Sequence, residues 1–228
     1  EFSLREEHGS VPDVPGVSEE PLPPWSCEHQ IRLVSWNADG SVLAVVLQRA
    51  GLHVLQLWTS GNYHWYLKHE STYEHLHAMT WHPEQPLTWY VSHARVEKRT
   101  MCLETACSRG MPPHDAACAS VVDGHMLYLT PFRLQNVPPP MCAVAIVDTP
   151  QHTVPHVPPA TPVHVAWTTQ SVEDQTTDIV AILYPDASVH VWSIAYGSLG
   201  AAHPRPRPPL KPQRVATYTR PDASHAYQ

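Results

Sequence analysis

An all-β chain of repeated four-stranded units is predicted by three observations. Pro accounts for 25 of the 228 residues, and Pro is excluded from helix interiors and central strands, so short strands joined by Pro-marked loops fit better than long helices. Trp and Tyr, 8 and 9 residues against only 2 Phe, suit pleated, partly buried surfaces. Trp also closes strand-like runs at a spacing that repeats along the chain. The run from His53 to Lys68 shows the unit best. Val54, Leu55, Leu57 and Trp58 lead into Ser60-Gly61-Asn62, and Tyr63, Trp65 and Leu67 lead out with period two. Gly61 and Asn62 tolerate positive φ, so the run reads as a β-hairpin with aromatics on both arms. It needs neighbours on both faces.

Residues 1–30 begin with alternating Phe2 and Leu4 and continue as an acidic, Pro-rich passage from Glu6 through Pro24. That passage has little to pack and reads as a short strand followed by an exposed or disordered loop. Ile31, Leu33 and Val34 then lead to Trp36; Asn37-Ala38-Asp39-Gly40 makes a turn, and Ser41 to Leu47 is an apolar strand before the hairpin. Asp-Gly between apolar runs is a strong hairpin signal.

The same start recurs at Leu76 to Trp81, where Trp81 stands 45 positions after Trp36. It recurs again at Val163 to Trp167, 86 positions further on, or two periods of 43. The skipped copy falls at Ala119 to Leu129, a strand, an Asp123-Gly124 turn and a strand without Trp. Ile179 to Tyr184, a Pro185-to-Ser188 turn and Val189 to Trp192 repeat the later strands, and Trp192 lies 134 positions, about three periods, after Trp58. A four-stranded unit of this length with Trp closing a strand is the signature of a WD40 propeller blade. The prediction is a partial WD40-type β-propeller of about four to five blades of four-stranded antiparallel sheet. Four are read within 31–195, at about 31–70, 76–105, 116–150 and 163–195. Residues 196–228 form a Pro-rich basic segment with a candidate final strand at Val215 to Tyr218. Four blades in an open arc leave apolar faces bare, and Glu1 is not Met; a fragment with blades outside these residues is expected.

The net charge of −7 disfavours nucleic-acid binding by the segment as a whole. Five Cys (Cys27, Cys102, Cys107, Cys118 and Cys142) are odd in number and irregularly spaced, which fits reduced thiols in a cytosolic or nuclear compartment. No apolar run reaches the roughly 18 residues that span a bilayer, and no basic-plus-apolar leader opens the sequence.

His75, His77 and His82, or Cys102, Cys107 and His114, are zinc candidates, yet no C-x-x-C pairing is present and structural zinc wants four ligands in short paired spacings. No metal, cofactor or catalytic residue is therefore assigned. Neither a G-x-S-x-G nucleophile elbow nor a Gly-rich phosphate loop occurs among only 9 Gly, so the chain is read as not an enzyme. The cluster Tyr63, His64, Trp65 and Tyr66 is either an exposed partner hot spot or blade core, with core favoured. Pro206-Arg207-Pro208-Pro209-Leu210-Lys211 fits a Pro-x-x-Pro-x-basic SH3 ligand or a plain spacer. Arg205, Arg207, Lys211 and Arg214 make a small basic patch beside an acidic body.

Three stretches are similar to the WD40 region of the Elongator complex scaffold family, the complex's largest subunit, also called IKAP. They are Trp36-Asn37-Ala38-Asp39 with Ser41 to Val45; Gln56-Leu57-Trp58-Thr59 with Gly61 to Lys68, where Ser60 replaces a common Val; and Val137-Pro138-Pro139-Pro140-Met141-Cys142. The likeness runs from about Gln30 to Ile194 and is weakest from Glu84 to Ala116. It implies a non-catalytic scaffold, cytoplasmic and also nuclear, supporting tRNA wobble-uridine modification. Its partners would be the other Elongator subunits, including the catalytic one, with homodimerisation through regions outside this chain and no membrane. It further implies two N-terminal propellers, this chain carrying the end of one and the start of the next. The alternative is a stand-alone peptide-binding propeller module with an SH3-ligand-like tail.

Overall fold

The computed structural model describes residues 30–49, 51–108, 110, 115–135, 137, 141–147, 160–172, 175–198 and 210–219. Among the described residues every regular element is a strand, and the strands form four antiparallel sheets. The fold is a partial β-propeller.

The first sheet is a meander of β1 (Gln30–Trp36), β2 (Leu43–Arg49), β3 (Leu52–Gly61) and β4 (His64–Tyr73). The Asp-Gly turn forms where expected: Gly40 takes φ 73, and Asp39 Oδ1 accepts from the Ser41 amide at 3.0 Å. The β3–β4 turn differs from expectation. Gly61 pairs with His64 in the ladder, and the two turn residues are Asn62 and Tyr63, at φ 51 and 60. A two-residue hairpin turn of this hand needs positive φ at both positions, so the pairing register sets which residues occupy it. Tyr63 adopts a conformation unusual for a bulky side chain and projects fully exposed from the tip.

The second sheet holds β5 (Ala78–Trp81), β6 (Thr88–Ser92) and β7 (Val96–Thr100), three strands where four were expected. The chain that would supply the fourth goes to the next sheet instead. Cys107 bridges Ala119, the Ser120 amide donates to the Ala106 carbonyl at 3.0 Å, and the Ser108 amide to the Cys118 carbonyl at 2.8 Å. This segment flanks β8 (Cys118–Asp123) of the third sheet, whose other strands are β9 (Met126–Pro131) and β10 (Val144–Val147). The fourth sheet is β11 (His164–Val172), β12 (Gln175–Leu183), β13 (Val189–Ser198) and β14 (Gln213–Tyr218). The candidate final strand is thus present, paired along β13 from Ser193↔Gln213 to Val189↔Tyr218.

The sheets pack in pairs. One face of the first sheet presents Ala44, Val46, Leu55, Leu57 and Tyr73 to Met79, Trp89 and Val91 of the second. Leu127, Leu129 and Ile146 of the third meet Val180, Ile182 and Ile194 of the fourth. Each such aliphatic side chain, once buried, contributes roughly 1.5–3 kcal/mol, which makes these two interfaces the main source of cohesion. Directional bonds fix the first of them. Asn37 accepts from the Val42 amide at 3.0 Å and donates across to the Pro86 carbonyl at 2.9 Å, and Trp81 Nε1 donates to the Ser35 carbonyl at 3.1 Å.

Candidate functional site

The hairpin β3–β4 carries the most distinctive surface. Its aromatic cluster divides rather than packing as one core. Tyr66 is buried, His64 and Trp65 are half-buried, and Tyr63 is fully exposed. The side of the first sheet that faces away from the second bears Leu43, Val45, Trp58 and Leu67, with Leu47 and Trp65 against them. Trp65 lies 5.8 Å, ring to ring, from Trp36. Trp36, Val34 and Ile31 are each about half exposed, at 50%, 53% and 54%. An apolar band of this kind suits contact with another protein surface better than small-molecule chemistry.

Where the hairpin meets the third sheet the surface turns polar. The fully buried Asp123 accepts from the Leu67 amide at 3.0 Å through Oδ1, and its Oδ2 lies 3.2 Å from His64 Nε2. Lys68 Nζ donates to the Val122 carbonyl at 2.7 Å and sits 4.8 Å from the Tyr66 ring. Burial holds the Lys68 ammonium below its ordinary pKa, with Asp123 opposing the shift. Burial, then the Asp123 charge, push the Tyr66 hydroxyl up.

A second polar cluster lies inside the interface of the third and fourth sheets. Asp178, fully buried, accepts from Thr169 Oγ1 at 2.5 Å and from the Tyr196 hydroxyl at 2.9 Å. Burial raises its pKa, while bonds from Thr169, Tyr196 and Ser108 pull the other way. Burial pushes the nearby Cys118 thiol up to about 12, so it stays a protonated, unreactive thiol. The donors aimed at Asp178 identify a structural knot. Asp178→Ala removes the acceptor of two half-buried hydroxyls and is expected to lower stability by about 1–3 kcal/mol, with Asp178→Asn closer to wild type in urea titrations.

His75 and His77 are exposed, and His82 Nδ1 accepts from the Glu84 and Gln85 amides, both at 3.1 Å, to close a turn. Cys102 is exposed and Cys107 pairs through its backbone with Ala119. Among the described residues no three His, Cys, Asp or Glu side chains gather as metal ligands. His114, Cys27, Arg205, Arg207 and Pro206 to Pro209 lie outside the described residues, as do Phe2, Leu4 and Pro138 to Pro140. Lys211 precedes β14 and Arg214 lies on it, both exposed. Asp123 and Asp178 were missed as site residues. Asp123-Gly124 was legible as a turn, but nothing local signals a carboxylate turned inward.

Two family models match the chain. One, described as the ELP1 first N-terminal beta-propeller, takes residues 20–84, and the other, the ELP1 N-terminal second beta-propeller, takes residues 121–211. Together they cover more than half of the sequence. The chain belongs to the Elongator complex protein 1 family. The family member of Schizosaccharomyces pombe is 38% identical over 110 residues, 48% of this chain and 8% of that protein. That of Saccharomyces cerevisiae is 38% identical over 115 residues, 50% of this chain and 8% of the relative. The Mus musculus protein is 33% identical over 142 residues, covering 55% and 10%. The chain therefore spans about a tenth or less of the length of these Elongator complex protein 1 relatives. The first match contains the whole of the first sheet, and the second contains β9 to β13.

Proposed function

We propose that this chain is part of a non-catalytic scaffold of the Elongator complex, holding other subunits in place while the tRNA wobble uridine is modified. The observation that carries the reading is the match of two successive Elongator propeller models on either side of residues 85–120. The chemistry is consistent with it. The buried carboxylates Asp123 and Asp178 accept hydrogen bonds from neighbouring donors, and Cys118 is held as a thiol. Propeller faces and edges act in such a role by rigid presentation of surface. The partners are the other Elongator subunits, the catalytic one included, with homodimerisation through segments outside this chain. The working compartment is the cytoplasm, with the nucleus as a second location. The acidic balance of the chain, −7 overall, favours protein over nucleic-acid contacts.

The test is affinity capture with the complete N-terminal propeller region of the parent protein. At least one further Elongator subunit is expected to be retained, and the region alone is expected to turn over no substrate. Retention of no Elongator subunit overturns the proposal.

A further inference from the structure

The two apolar interfaces stop short of each other. One joins the first and second sheets, the other the third and fourth, and among the described residues no apolar cluster spans the first and third. The first sheet lies within the first propeller match and β9 to β13 within the second, with β6 and β7 between the two. Without a large apolar interface, relative motion of two such bodies is the default. What bridges them here is the polar contact of β4 with the β8–β9 turn.

The geometry of that contact begins with a bulge. Leu57 pairs with His69 and Trp58 with Leu67, which leaves Lys68 as an extra residue on β4. A bulge re-aims side chains and releases ladder groups. β4 is the edge of its sheet, and both peptide groups of Leu67 are used outward. Its amide donates to Asp123 Oδ1 at 3.0 Å, and its carbonyl accepts from the Gly124 amide at 2.8 Å. The residue released by the bulge, Lys68, reaches the Val122 carbonyl at 2.7 Å, while His64 approaches Asp123 Oδ2 at 3.2 Å. Gly124, at φ 60, allows its own amide and the Asp123 carboxylate to bracket one residue of the opposing strand. Three successive residues of the turn thus meet the second arm of one hairpin.

We propose that this contact is a clasp between the two propellers, with Asp123 the positioning residue that fixes the first sheet against the third. The stretch Gly61 to Lys68 is then a docking strand as well as a blade strand. A buried carboxylate suits the task because its bonds are directional and leaving its donors unpaired is unfavourable.

Hydrogen exchange on the 228-residue chain tests this. In Asp123→Ala, exchange at the Leu67 and Gly124 amides is expected to quicken at least tenfold, while the Val46 and Ile182 amides, inside the first and fourth sheets, keep wild-type rates. Asp123→Asn retains an acceptor for the Leu67 amide and is expected to restore most of the protection. Lys68→Met, which leaves Asp123 in place, is expected to give a smaller rise confined to the same two amides. Unchanged exchange at Leu67 in Asp123→Ala overturns the clasp. So does an equal rise at Val46 and Ile182, which would make Asp123 a general stability residue, and so does failure of Asp123→Asn to restore protection.

Discussion

Trp58→Ala is expected to lower the unfolding free energy by about 3–5 kcal/mol, the range for truncating a large buried aromatic. The ring is 5% exposed and packs with Leu43, Val45 and Leu67 on the face of the first sheet turned away from the second. In the ladder Trp58 stands beside Leu43 on β2 and Leu67 on β4, so its loss opens space between three strands together. Its indole Nε1 also donates to Gln56 Oε1 at 3.2 Å, a bond that alanine cannot make. Urea denaturation followed by far-ultraviolet circular dichroism reads the change without relying on the other tryptophans. A loss under about 1 kcal/mol would mean that the site closes over the missing ring or that the ring is not buried in solution.

The second large effect is on pH dependence, through His69. Its ring lies on β4, 5.8 Å from the Trp89 ring of the second sheet, and its buried Nε2 has no hydrogen-bond partner among the described residues. Burial, then the Arg99 guanidinium, hold its pKa at about 4 against an ordinary 6.5. The unfolded chain therefore binds a proton that the folded chain refuses. Stability from this source is fully present above about pH 6.5, falls as the pH drops through the window, and is gone below about pH 4. At 1.36 kcal/mol per unit the whole effect is about 3 kcal/mol. In His69→Phe the window should flatten by about that amount when urea midpoints are compared from pH 7 to pH 4. Equal slopes in the two proteins would remove His69 as the cause. Glu97 titrates lower, its carboxyl held at about 2 by bonds from Arg99 and Arg95, so its loss falls mainly below this window.

Much of the frame was legible because it is local. Asp39-Gly40 and Asp123-Gly124 are short-range turn chemistry, and both sit between paired strands. The similarity at Trp36-Asn37 has a physical basis that became visible only in three dimensions: Asn37 ties its own turn to Pro86 of the next sheet. The three-stranded second sheet was not legible. Residues 101–106 lack an alternating pattern, and which neighbour the following bridge joins depends on tertiary contacts. The exposure of Tyr63 was missed because an aromatic beside Trp65 reads as core, whereas pairing of Gly61 with His64 leaves Asn62 and Tyr63 as the turn. Asp123 escaped for a related reason: its partner Leu67 is 56 positions away, and a single long-range contact leaves no period in a sequence.

The meander order of the sheets bears on how the chain is made. In the first sheet each strand pairs with its immediate successor, so loop-closure entropy is small and the unit can assemble from a short nascent segment. The fourth sheet is different at its edge, since β14 joins β13 only after residues 199–212 have been synthesised. At ribosomal speeds of about 5–20 residues per second the early hairpins have ample time to settle, while β13 waits about a second or more with one side unzipped. The order of emergence thus gives the first sheet a head start over the β13–β14 seam.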